Sequence, residues 1–123
     1  MRFLSMIRIN ENAGVKPSPQ LMTDMGKLMA EMTREGSLVT TSGLRPTSEG
    51  KRMRLRGGKL STTDGPFVET KEVIGGFAIM EAPSMEKALE HARRFLRAHG
   101  EEWDIECEVR QMDDGDCGDG KRA

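Results

Sequence analysis

Val73-Ile74-Gly75-Gly76-Phe77-Ala78-Ile79-Met80-Glu81 runs almost without polar relief, and no other stretch constrains the fold as tightly. A strand that is apolar at successive positions presents hydrophobic groups on both faces, so it belongs at the centre of a sheet with cover above and below. Residues 2–9 repeat the pattern: Phe3, Ile7 and Ile9 fall on one face, Leu4 and Met6 on the other. Two such strands call for two covering layers.

Helices supply one layer. Ser18-Pro19 offers an N-cap followed by proline at the first helical position. Beyond it Leu21, Met22, Met25, Leu28, Met29 and Met32 recur at helical spacing, and Gly36 is placed to end the helix in a left-handed conformation. Thioethers adapt to varied surfaces, so this stripe also suits a partner groove, but its spacing reads first as core. A second helix is capped by Ser84, carries Met85, Ala88, Leu89, Ala92, Phe95 and Leu96 on one face, and is expected to end at Gly100.

Between the helices, Leu38 to Leu44 is rich in β-branched residues and closes at Arg45-Pro46. Lys51 to Arg56 and Lys59 to Thr62 flank Gly57-Gly58, a hairpin signal. Ile105, Cys107 and Val109 then alternate with Glu106, Glu108 and Arg110 as a last strand. The order β-α-β, hairpin, β-α-β predicts an α+β, ferredoxin-like fold: an antiparallel sheet with two helices on one face, one domain over residues 1–112. The uncovered apolar face calls for a second copy, so a homodimer with facing sheets is expected. Residues 113–123 lack apolar groups to offset ordering entropy and are expected to form a flexible, acidic, Gly-rich tail.

The 123-residue chain is long enough to bury one core, and its charged residues nearly cancel to −1. No global field steers it to nucleic acid or an anionic membrane. Arg52, Arg54 and Arg56 share one strand face but lack aromatic platforms, which makes a solvated face the better reading. Arg8 interrupts the N-terminal apolar run too early for a signal peptide and no run is long enough to span a bilayer, so cytoplasmic residence is expected. Cys107 and Cys117 lack metal-ligand spacing and read as free thiols; His91 and His99 form no zinc motif, and neither metal nor cofactor is expected.

Thr63 to Glu72 concentrates turn and charge chemistry that core building does not require. Two readings compete for Asp64: a turn residue capping backbone N–H groups, or a carboxylate held in place by Gly65 and Pro66 for proton transfer. Glu69, Lys71 and Glu72 follow as candidate ligand-binding residues. Arg45 and Arg110 are candidate anion binders, with Glu108 on the same face as Arg110. The partner these residues suit is a small polar or anionic molecule.

Asp64-Gly65-Pro66-Phe67 resembles the DGPF signature of the YCII-related family. Gly43-Leu44-Arg45-Pro46 resembles its glycine-leucine-proline turn, Gly75-Gly76-Phe77 its central strand and Glu108-Val109-Arg110 its last strand, over about residues 2–112. Gln111 stands where a proline is usual. The resemblance implies the dimeric α/β-barrel group, in which two ferredoxin-like subunits pack sheet to sheet. It leaves three functions open: a cofactor-independent small-molecule enzyme of proton-transfer or lyase type with Asp64 in the site; a non-catalytic ligand-binding or regulatory module, since family members resemble proteins encoded beside or fused to extracytoplasmic-function sigma factors; or a purely structural dimer. The His-Asp pair of the narrower YciI-like proteins is not reproduced by His91 or His99.

Overall fold

The structure, a computed structural model, describes residues 1–113; most of the expected tail, with Cys117, lies outside them. The central apolar stretch forms strand β5, Val73–Glu81, paired antiparallel with β1, Arg2–Ile9. Strands β2, Leu38–Gly43, and β6, Glu106–Gln111, flank them in the antiparallel order β2-β5-β1-β6. Helices α1, Pro19–Glu35, and α2, Met85–Arg97, supply the crossovers. This is the ferredoxin-like arrangement, with a hairpin added between β2 and β5.

The local signals act as their chemistry dictates. Ser18 Oγ accepts from the Leu21 N–H at 3.1 Å, and Gly36 closes α1 at φ 83°. Ser84 Oγ accepts from the Lys87 N–H at 3.2 Å. Helix α2 ends at Arg97 rather than at Gly100. The cap is Ala98, in the right-handed region, and His99 completes the turn: its N–H donates to the Leu96 carbonyl at 3.1 Å and its Nδ1 lies 3.0 Å from the Phe95 carbonyl oxygen, with Gly100 at φ 106° just beyond.

Strands β3, Lys51–Arg56, and β4, Lys59–Asp64, form the hairpin around Gly57 and Gly58, both with positive φ as a tight two-residue turn requires. It is a sheet of its own, exposed along both strands. The alternation puts Met53, Leu55 and Leu60 on one face, all exposed, and Arg52, Arg54 and Arg56 on the other. Strand β4 continues two residues beyond the expected Thr62, which places Asp64 opposite Lys51.

Register decides which residues meet the helices. Phe3 opposite Met80, Ser5 opposite Ala78 and Ile7 opposite Gly76 face the helical layer. Leu4 opposite Ile79 and Met6 opposite Phe77 form a half-buried apolar patch on the open face. Arg8 flanks that patch and donates to Glu108 on β6 at 2.9 Å. The packed core, by contrast, is small and sits at one end: Phe3, Met80, Ala82 and Ala88, with Ala78 and Val109 against them.

Candidate functional site

At the other end the two layers do not fill the space between them, leaving a cavity of about 460 Å³. Helix α1 lines it with Leu21, Met25, Leu28, Met29 and Met32, and α2 with His91, Phe95 and His99. Of that α1 set only Leu21 and Met32 are buried. The stripe read as core therefore faces a hollow over much of its length.

The sheet explains the space. Gly43 pairs with Gly76, and with Gly75 these residues form a side-chain-free strip along the cavity floor. Gly75 is the extra residue where the β1–β5 register shifts, and a Cβ there would come within 2.5 Å of Ile9 Cδ1. At Gly76 a Cβ would approach the Ser42 carbonyl oxygen to 3.1 Å. Gly43 differs: a Cβ there meets nothing closer than 4.0 Å, so its lack of a side chain leaves room.

Among the described residues, His91 Nδ1 is the one buried side-chain nitrogen or oxygen without a hydrogen-bond partner. Leaving such a group unsatisfied costs about 1–3 kcal/mol. The hydroxyls of the wall, those of Ser5, Thr41 and Ser42, are engaged. Thr41 Oγ1 donates to the Phe77 carbonyl at 2.9 Å, and Ser5 Oγ lies 2.8 Å from Cys107 Sγ. Burial pushes the Cys107 thiol up, against the opposing pull of the Ser5 hydrogen bond, so this sulfur is a poor nucleophile. His99 stacks edge-on between Phe95 and Trp103, with centroids 4.8 and 5.4 Å away, and Trp103 also lines the cavity.

The residues singled out from sequence lie elsewhere and apart from one another. Asp64 is exposed and accepts from Lys51 Nζ at 2.5 Å, without lining either hollow. The backbone of its loop finds other partners: Gly65 N–H donates to the Gly50 carbonyl at 2.9 Å and Phe67 N–H to Thr47 Oγ1 at 3.3 Å. Glu69 pairs with Arg52, whose guanidinium lies 3.8 Å over the Phe67 ring; a backbone N–H and then Arg52 hold the Glu69 carboxyl below the usual range. Arg45 grips Glu49 with bonds of 3.1 and 2.9 Å, Lys71 is exposed, and Arg110 stands on the open sheet face near the Glu108–Arg8 pair. Glu72 alone of the set lines a hollow, a second one of about 390 Å³ that also includes Glu11, Glu102 and Asp104. No group of three or more His, Cys, Asp or Glu among the described residues is placed to hold a metal ion.

The signature loop is thus clasped to its own chain. Glu11 accepts from the Thr47 N–H at 3.0 Å and from its hydroxyl at 2.8 Å, joining the β1–α1 connection to the short 3₁₀ turn Thr47–Glu49 beneath the loop. A Cβ on Gly65 would overlap the Thr47 carbonyl. Gly65→Ala is accordingly expected to open this clasp and lower stability by about 2–4 kcal/mol, measured by urea denaturation. A change within about 0.5 kcal/mol would show that the loop does not hold the hairpin base.

A family model of the YCII-related domain matches residues 1–101. The chain belongs to the YCII-related family. The matched span runs from β1 through α2 and so contains the signature loop and both helical walls of the cavity. A relative of this YCII-related protein, an uncharacterised protein of Rhizobium meliloti (strain 1021), is 31% identical over 80 residues, covering 65% of this chain and 64% of its own length. The aligned part is therefore less than two thirds of that relative. No described helix is long and apolar enough to cross a membrane. The cavity of the YCII-related domain was overlooked at the level of sequence, although His91, Phe95 and His99 recur at i, i+4 and i+8 on one helix face.

Proposed function

We propose that this protein is a non-catalytic, cytoplasmic ligand-binding module that works as a homodimer, with the cavity between its helices and sheet as the ligand site. The cavity carries this reading: its volume falls in the range of small-molecule sites, and its wall is largely apolar, without Asp, Glu, Lys or Arg. The open patch of Leu4, Met6, Phe77 and Ile79 supports the dimer, because a second copy covers it symmetrically. A regulatory role linked to an extracytoplasmic-function sigma factor rests on the family resemblance.

The enzyme reading built on Asp64 draws less support, since that carboxylate is exposed and paired with Lys51. The polar or anionic ligand expected from Arg45 and Arg110 would meet those groups on the outer surface, because no Asp, Glu, Lys or Arg lines the cavity.

A thermal-shift screen against small metabolites tests the proposal, since any compound binding only the native state raises the melting temperature. Gly43→Leu supplies the control. It is expected to fill the floor of the cavity, raise the melting temperature of the ligand-free protein and remove the shifts seen with the natural chain. Hits that bind Gly43→Leu unchanged would place the ligand elsewhere.

A further inference from the structure

We infer that the β3–β4 hairpin is an exchanged arm: each copy in the homodimer seats its hairpin on the partner's second hollow and receives the partner's hairpin in return. This rests on the homodimer reading above. The hairpin packs extensively on no other strand or helix of its own chain, and a lone two-stranded hairpin is marginally stable in water. Met53, Leu55 and Leu60, 71, 69 and 70% exposed, lie together on one of its faces. Single exposed apolar residues are ordinary, but three side by side on so thin an element call for a cover. On the opposite face Arg54, Arg56 and Lys59 enter no ion pair with a described residue, whereas Lys51 and Arg52 are tied to Asp64 and Glu69. The unpaired cations therefore sit toward the tip.

The second hollow, of about 390 Å³, offers the complement. Val15, Leu44, Pro46 and Trp103 give it an apolar wall, and Val15 and Leu44 are exposed. Glu72, Glu102 and Asp104 line it, exposed and outside every described ion pair. Glu72 acts on Arg8 only at a distance, and that guanidinium is bonded to Glu108; Glu11 is taken by Thr47. No Lys or Arg lines the hollow, and neither does any residue of the chain's own hairpin. One copy thus leaves an apolar, cationic arm and an apolar, anionic hollow both unanswered. A second copy answers both, and two-fold symmetry makes the contact twice. Apolar face meets apolar wall, while the long Arg and Lys side chains reach round the hairpin to the carboxylates at the rim.

A charge exchange between two full-length chains tests the arm. One carries Glu102→Lys and Asp104→Lys, the other Arg54→Glu and Arg56→Glu; all four positions are exposed, so folding is preserved. Each variant alone is expected to dimerise about a hundredfold more weakly than the native chain, since four favourable pairs per dimer become repulsive. An equal mixture is expected to recover dimers holding one chain of each kind, read by native mass spectrometry, because every arm then meets a hollow of opposite charge. Trp103, the chain's one tryptophan, is expected to shift its emission to the blue as the native and mixed dimers form. Variants that each dimerise as tightly as the native chain would overturn the arm while leaving the homodimer. Variants that stay monomeric when mixed would overturn the pairing of arm with hollow. A native chain that is itself monomeric at micromolar concentration would overturn the homodimer reading.

Discussion

Ile79→Lys is expected to convert the proposed dimer of twice 13.7 kDa into a monomer of 13.7 kDa at micromolar concentration. Ile79 lies opposite Leu4 at the centre of the open sheet face, beside Phe77 and Met6. In a two-fold interface each substitution occurs twice, so two ammonium groups would be buried without partners, at a cost of several kcal/mol each. A total of about 4 kcal/mol already weakens association roughly a thousandfold. Light scattering after size exclusion reads the result. Thr40→Lys, at the more polar edge of that face, is the matched control and is expected to stay dimeric.

The largest stability loss is expected at Phe3→Ala. Phe3 is the one large side chain that is fully buried, and it joins Met80, Ala82 and Ala88 in the only tightly packed part of the interior among the described residues. Truncating a buried phenylalanine costs about 3–5 kcal/mol, a large share of the ~5–15 kcal/mol that holds a domain together. For a chain of this size the melting temperature should fall by more than about 10 °C. Met25→Ala, in the half-buried cavity wall, should cost about 1 kcal/mol because the hollow already denies it neighbours. Equal losses from the two variants would mean that the interior is not divided into a packed end and an open one.

Much of this fold was legible in the sequence because its signals are local. Ser18-Pro19, Gly36, Ser84 and Gly57-Gly58 each act through their own backbone geometry, and the two-faced patterns of β1 and β5 placed them at the sheet centre. Where another bond takes the place of the expected one, the reading slips. His99 ends α2 before Gly100 is reached, and pairing with Lys51 draws Asp64 into β4 instead of leaving it to cap the turn.

The cavity was hidden for a different reason. Helical spacing tells which face of α1 turns inward, but not whether the opposing sheet has side chains to meet it. Gly43, Gly75 and Gly76 were legible as turn and strand residues of the family pattern; only the β2–β5 register brings them together under the methionine stripe. The signature loop drew attention through its charges, and those charges are spent on pairs within the chain, Asp64 with Lys51 and Glu69 with Arg52.

Methyl spectra of the ten methionines give the most direct test of the cavity as a ligand site, with 1-heptanol as probe. Met22, Met25, Met29, Met32 and Met80 line the cavity, while Met1, Met6, Met53, Met85 and Met112 do not. The account predicts that the alcohol shifts the first five resonances saturably and leaves the second five in place. Shifts confined to Met6 and Met53, on the open sheet face and the hairpin, or no saturable shift at all, would contradict it.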